Sequence, residues 1–248
     1  MAGVVLITGA GRGIGAATAR LAAAENYTVA VNYHSDSSSA EALVEELTGS
    51  GAQALALRAD VSSEPEVVAL FDAVETELGP LSALVNNAGI LEQQMRLDAM
   101  SAERINRVLQ VNVTGSLLCA REAVRRMSTA RGGGGGAIVN VSSAASRLGS
   151  PGEYIDYAAS KGAIDSFTIG LAQEVAGEGI RVNAVRPGVI YTDIHSSGGE
   201  PGRVDRIGPT LPMGRGGYPE EVARVILWLL SEQASYTTGS FIEVSGGR

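Results

Sequence analysis

The stretch Val4-Val5-Leu6-Ile7-Thr8-Gly9-Ala10-Gly11-Arg12-Gly13-Ile14-Gly15 decides the fold. Four aliphatic residues with no polar break read as a strand buried on both faces, the pattern of a parallel sheet. Glycines then punctuate a short turn, and the small residues that follow open a helix. A strand that turns through glycines into a helix leaves free N–H groups at the helix N-terminus, where they and the helix dipole favour an anion such as a pyrophosphate.

Outward from this unit the same alternation repeats. Short apolar, β-branched runs at 4–8, 28–32, 52–57, 83–86, 137–141, 180–185 and 241–244 predict seven strands. Helical stretches at 15–25, 39–47, 64–78, 103–127, 157–176 and 219–230 lie between them. The pattern predicts an α/β, three-layer, doubly wound Rossmann fold: a seven-stranded parallel sheet with right-handed crossovers and helices on both faces. A single dinucleotide-binding domain over residues 1–248 is expected, because no shift in composition marks a boundary. The glycine run 132–136 reads as a flexible surface turn, and the long Gly- and Pro-rich segment 196–217 as a lid over a substrate.

Composition narrows the function classes. A hydrophobic fraction of 45% with 19% charged residues excludes global disorder, and a net charge of −8 argues against a nucleic-acid partner. The lone cysteine, Cys119, cannot close an intrachain disulfide, which fits a reducing compartment. Met1-Ala2-Gly3 runs directly into the first strand, and no apolar run approaches the length of a membrane span. The expectation is a cytoplasmic protein that binds neither membrane nor metal.

The glycine turn contains Thr8, Gly9, Gly13 and Gly15 at the spacing T-G-x-x-x-G-x-G. Further along stand Asp60-Val61 after the third strand, Asn86-Asn87-Ala88-Gly89 after the fourth, and Val111-Asn112-Val113-Thr114-Gly115 within a helix. Ser142-Ser143 closes the fifth strand, Tyr157-Ala158-Ala159-Ser160-Lys161 opens a helix, and Pro187-Gly188-Val189-Ile190-Tyr191-Thr192 follows the sixth strand. In this order and at these strand ends the chain resembles the short-chain dehydrogenase/reductase family. The resemblance implies a cofactor contact by Gly9, Gly11, Arg12, Gly13, Ile14 and Gly15 at the phosphates. It implies adenine contact by Asp60 and Val61, further contact by Asn87, Ala88 and Gly89, and a nicotinamide clamp from Pro187, Gly188, Ile190 and Thr192. It also implies Asn112, Ser143, Tyr157 and Lys161 as catalytic residues, with Tyr157 and Lys161 on the cofactor as well, and a homotetramer (or dimer) built on the central helices.

The chemistry can be argued from the residues themselves. Tyr157 and Lys161 are four apart and share a helical face. A phenol is a poor base at neutral pH, and a nearby ammonium is expected to pull it toward the working range. Lys161 is the only lysine among 19 basic residues, so an ammonium stands here in a chain that otherwise uses arginine. Ser143 precedes Tyr157 by 14 residues where the family has 13, which points to one extra residue in the loop 152–156. The resemblance also implies that Asn112 holds a water that links Lys161 to solvent.

An acid at the end of the second strand would bind the ribose 2′-hydroxyl of NAD. Asn32-Tyr33-His34-Ser35 carries none, and Arg12 is placed for a 2′-phosphate, so NADP(H) is favoured with NAD(H) as the alternative. The expected function is interconversion of a small ketone or aldehyde with an alcohol, the pocket lined by 146–154, 188–195 and the lid. Within the family the alternatives are a 3-oxoacyl-carrier-protein reductase and a sugar (glucose-type) dehydrogenase. Arg121, Arg125, Arg126 and Arg131 form a possible dock for an acidic carrier. Outside enzymes, the alternative is a cofactor-sensing regulator, but such proteins typically lose the tyrosine or the lysine.

Overall fold

The computed structural model describes residues 3–248. Its centre is β1 (Val4–Ile7), whose side chains split by strand period: Val5 and Ile7 enter one core, Val4 and Leu6 the other. The remaining strands are β2 (Thr28–Tyr33), β3 (Ala54–Arg58), β4 (Leu81–Asn86), β5 (Gly136–Val141), β6 (Ile180–Pro187) and β7 (Phe241–Val244). All pair in parallel, in the order β3-β2-β1-β4-β5-β6-β7. The chain winds outward in both directions from β1 and β4, as the sequence predicts.

On one face lie α1 (Gly13–Ala24), α2 (Ser37–Gly49) and α10 (Pro219–Leu230), which cover Val5, Ile7, Val139 and Val185. The alanines Ala16, Ala19 and Ala22 let α1 approach the sheet closely. On the other face, α3 (Glu64–Leu78), α5 (Gly115–Met127) and α7 (Ile155–Val175) bury Leu6, Phe71, Leu84, Cys119 and Ile138. Three layers with a core on each side of the sheet result.

The structure corrects four local expectations. The helix expected over 103–127 is interrupted: α4 (Ala102–Leu109) passes through a π-helical turn, Gln110–Thr114, into α5. Asn112 in that turn is fully buried and exchanges hydrogen bonds with the backbone of Ile90, accepting from N at 2.8 Å and donating to O at 3.0 Å. A side chain that must reach back to the β4 loop widens the turn, and such bulges concentrate at functional sites. The run 132–136 is not a flexible turn throughout. Gly136 begins β5, donates to Gly179 O at 2.9 Å, and a Cβ there would lie 2.3 Å from Ser82 O. Nor is 196–217 one continuous loop: the end of α8 (Ile194–Ser197), α9 (Arg203–Ile207) and a 3₁₀ turn, Gly208–Thr210, take up a little under half of it. Elements of four or five residues are too short for a helical period to show in a sequence.

One more short helix, α6 (Ala145–Leu148), follows β5. Between it and α7, Gly149, Ser150 and Gly152 all have positive φ (73°, 46° and 75°). This tight turn sits earlier than the expected 152–156, since Ile155 and Asp156 already belong to α7.

Candidate active site

A cleft of about 660 Å³ opens at the carboxyl ends of the strands, where the order reverses between β1 and β4. Open α/β sheets bind ligands at this switch point. Of the residues singled out in the sequence, Gly9, Gly11, Arg12, Gly13, Ile14, Asn32, Tyr33, His34, Asp60, Val61, Asn87, Ala88 and Gly89 line it. So do Ser143, Tyr157, Lys161, Pro187, Gly188, Ile190 and Thr192. Gly15 and Asn112 stand behind its wall.

The glycine turn is a cradle that larger residues would fill. A Cβ on Gly15 would lie 2.7 Å from both Gly9 O and Asn87 Nδ2, and Gly9 has a φ of +60°. Asn87 ties the turn to β4 by donating to Thr8 O and Gly9 O at 2.9 and 3.0 Å. At the start of α1 the preceding residue, Arg12, makes no side-chain cap, and the first turn holds no acid. The free N–H groups there are therefore open to an external anion. Opposite, the Thr192 methyl packs within 3.2 Å of the Gly13 Cβ position, so the segment after β6 closes over the cradle. This geometry fits a dinucleotide.

At the far edge, Asn32 is spent on structure: its Oδ1 accepts from Gly9 N, and its Nδ2 donates to the carbonyls of Tyr33, Leu57 and Ala59. Asp60 accepts from Ser62 N and Oγ and faces His34 Nε2 at 3.6 Å. Burial would raise its carboxyl, but the Ser62 bonds and the nearby His34 and Arg58 hold it below the usual range. The sequence reading stopped one residue short of Asp36, an acid that also lines the cleft. Its oxygens accept from Ser39 N, Ser38 Oγ and Ser39 Oγ, capping α2 and holding its carboxyl low. The signal was legible as Asp followed by three serines, an N-cap pattern.

At the inner end, α7 presents Tyr157 and Lys161 one turn apart. Ser143 lies beside the Tyr157 phenol despite the longer spacing, and its Oγ accepts from Ala145 N at 3.1 Å. Ser142 turns the other way, donating to Asp165 Oδ1 at 2.6 Å. Lys161 is 4% exposed and donates from Nζ to Val141 O at 2.7 Å, 5.6 Å from the centre of the Tyr157 ring. Gly89 borders this corner: its Cβ position is 3.4 Å from Asn112 Oδ1 and 3.6 Å from Lys161 Nζ, ordinary contact distances. The titration differs from the expected lysine-lowered phenol. Burial pushes Tyr157 up to about 12, offset in part by Ser143, and burial pushes Lys161 down to about 8, against the field of Asp165. Desolvation, not the pairing, dominates both groups. Asn112 uses its side chain on Ile90 and on Ser160 Oγ, at 3.1 Å from Nδ2, so it anchors this corner.

A sequence model of the family described as enoyl-(acyl carrier protein) reductase matches residues 9–248. The Escherichia coli (strain K12) protein named uncharacterized oxidoreductase YgfF is 61% identical over 245 residues, 99% of each chain. The chain belongs to the short-chain dehydrogenase/reductase family. Glucose 1-dehydrogenase 2 of Bacillus subtilis (strain 168) is 39% identical, covering 98% of this chain and 93% of its own. The 3-oxoacyl-[acyl-carrier-protein] reductase FabG of Staphylococcus aureus (strain Mu50 / ATCC 700699) is 37% identical over 98% and 96%. This short-chain dehydrogenase/reductase is accordingly an oxidoreductase that acts on CH–OH groups with a nicotinamide dinucleotide. No helix among the described residues is long and apolar enough to cross a membrane.

The wall of the cleft beside α9 is knit by ion pairs. Arg203 of α9 donates to Glu153 at 3.0 and 2.5 Å and to Glu200 at 3.1 Å, with its guanidinium 5.3 Å from the centre of the buried Tyr154 ring. His195 Nε2 donates to Ile190 O at 2.9 Å, while its Nδ1 is buried without a hydrogen-bond partner among the described residues, and burial lowers the ring's pKa.

Proposed function

We propose that the protein interconverts a small ketone or aldehyde and its alcohol, using NADP(H) in preference to NAD(H). The observation that carries the reading is the meeting of Ser143, Tyr157 and Lys161 at the inner end of a cleft whose outer end is a glycine cradle. Bound across the cleft, the dinucleotide supplies a hydride in reduction and accepts one in oxidation. Tyr157 gives its proton to the carbonyl oxygen in reduction and takes it from the hydroxyl in oxidation. Ser143 donates a hydrogen bond to the same oxygen, where charge develops. Lys161 provides the positive charge that favours a phenolate once Tyr157 has given up its proton. It also has donors left for ribose hydroxyls, since Val141 takes one of three. Asn112 holds Ile90 and so fixes the wall behind Lys161.

The NADP(H) preference rests on Arg12, exposed on the cleft edge, and on Asp36 being occupied with its cap. A small free substrate is favoured over a carrier-bound one by the arginine cluster. Arg121 pairs with Glu64 and Glu122, Arg125 with Glu122, and Arg126 with Asp72, Glu75 and Glu122. With three of the four arginines so neutralised, the cluster offers an acidic carrier little beyond Arg131. Leu117 on α5 and Ile169 on α7 are exposed apolar residues and support self-association through these helices, which a solution mass would test.

The deciding experiment is a panel of aldehydes, ketones and alcohols, read by the absorbance of reduced cofactor, with Tyr157→Phe as control. Turnover that the variant loses supports the reading. Turnover that it keeps, or none with any carbonyl or alcohol, would defeat it.

A further inference from the structure

On α7, Tyr157, Lys161 and Asp165 follow at intervals of four and form one stripe turned toward the sheet. Lys161 reaches the last residue of β5, Val141. Asp165 reaches the next residue, Ser142, and then β6, where Arg186 donates to its Oδ2 from Nε at 3.1 Å and Nη2 at 2.9 Å. Ser142 bridges the two turns of the stripe, since its Oγ lies 3.3 Å from Lys161 O as well as 2.6 Å from Asp165 Oδ1.

We propose that the Asp165–Arg186 pair sets the charge on Lys161, Asp165 favouring the ammonium and Arg186 opposing it, which makes Asp165 a positioning residue for the reaction.

The argument starts from what Lys161 lacks. Its ammonium is buried, and among the described residues its one hydrogen bond goes to a neutral carbonyl. A buried cation without a paired anion tends to shed its proton. The neighbouring hydroxyls and amide, on Tyr157, Ser143 and Asn112, are all neutral near pH 7. Among charged groups, Asp165 on its own helix is the carboxylate whose field opposes this loss. Arg186 stands beyond Asp165, and behind Arg186 come Glu243 of β7 at 3.0 Å and Arg147 of α6, paired to Glu243 at 3.0 Å. Acid and base alternate along this row, so each member tunes the field of the one before it. Asp165 and Arg186 are only 14% and 16% exposed, which keeps their fields from being fully screened.

A salt bridge that merely fastened α7 to β6 would be cut equally by Asp165→Asn and Arg186→Gln. The tuning role requires opposite effects. Because Lys161 is the only lysine in the chain, lysine labelled at Cε gives one side-chain NMR signal, whose pH titration reads this group without substrate or cofactor. The midpoint should fall near 8 in the wild type. Asp165→Asn should lower it by about half a unit or more, Arg186→Gln should raise it, and Asp165→Glu should stay close to the wild type. If both neutral variants move the midpoint the same way, or neither moves it, the proposal is wrong. Should Asp165→Asn fail to fold, Arg186→Gln alone decides: a midpoint that does not rise overturns it. The measurement needs no turnover, so its failure is separable from failure of the oxidoreductase reading on which the role of Lys161 rests.

Discussion

Arg104 donates from Nε to Asp156 Oδ2 at 2.8 Å, and this pair closes the N-terminus of α7 one residue before Tyr157. The other oxygen of Asp156 accepts from Tyr157 N at 2.9 Å, and Arg104 Nη1 holds Gln93 O at 2.6 Å. The two side chains are 11% and 1% exposed, so each charge depends on the other for its solvation. Removing one partner of a buried pair leaves the other uncompensated and typically costs about 3–5 kcal/mol. Arg104→Leu should therefore lower the unfolding free energy by about that amount in urea titration. It should lower activity too, because Tyr157 loses its anchor. A loss below about 1 kcal/mol would mean that water reaches the pair.

What the sequence disclosed and what it hid divide along physical lines. The glycine turn, the seven strands and the Tyr157–Lys161 spacing were legible because backbone geometry and period write them locally. The π turn at Asn112 was not, because its cause is Ile90, 22 residues away. The pKa balance at Tyr157 and Lys161 was likewise hidden. Spacing shows that an ammonium is near, but the burial that dominates both groups is a property of the folded cleft. Asp36 was legible as the cap of α2, where its oxygens accept from Ser38 and Ser39, and the fold adds that it also lines the cleft.

The cofactor preference turns on Arg12, which lines the cleft beside the cradle and makes no cap to α1. A guanidinium–phosphate hydrogen bond is worth about 1.5–3 kcal/mol, or roughly tenfold or more in affinity. Arg12→Ala should reduce the ratio of kcat/KM for NADPH over NADH by about tenfold while leaving the NADH value nearly unchanged. A wild-type preference for NADH would end this reading.

Arg203 of α9 ties the segment 194–210 to the turn before α7 through Glu153, and to Glu200 within that segment. At 8% side-chain exposure it is a buried cation held by two carboxylates. Arg203→Ala should let the segment 194–210 open more often, and protease cutting there should quicken by about tenfold or more in the ligand-free protein. Cofactor with substrate should slow the cut in the wild type. Equal cutting of both proteins would show that this segment does not move as a lid.

Lys161 should limit stability in the state that serves the reaction. Its folded pKa of about 8 lies below the ordinary 10.5, so between those values the unfolded chain binds more protons than the folded one. Stability attributable to this residue therefore rises with pH across that window, and below it the buried charge is a standing cost. Lys161→Met removes the charge at similar length, losing only the bond to Val141 O. At pH 7 it should be more stable than the wild type by about 1–3 kcal/mol, and the difference should fade as the pH approaches 10.5. The same variant should be almost inactive, which would place residue 161 among sites where function is kept against stability. Lys161→Arg separates charge from shape. A guanidinium does not shed its proton, so it gains none of this stability, and its planar fork does not fit where Nζ meets Val141 O at 2.7 Å. A displacement of about 1 Å there can cost on the order of 100-fold in kcat/KM. Urea titrations of the three proteins at neutral and alkaline pH, beside their rates, check both halves. If Lys161→Met is the less stable protein at pH 7, the ammonium is better solvated than its burial implies. If Lys161→Arg keeps more than about a tenth of the activity, charge alone accounts for the residue.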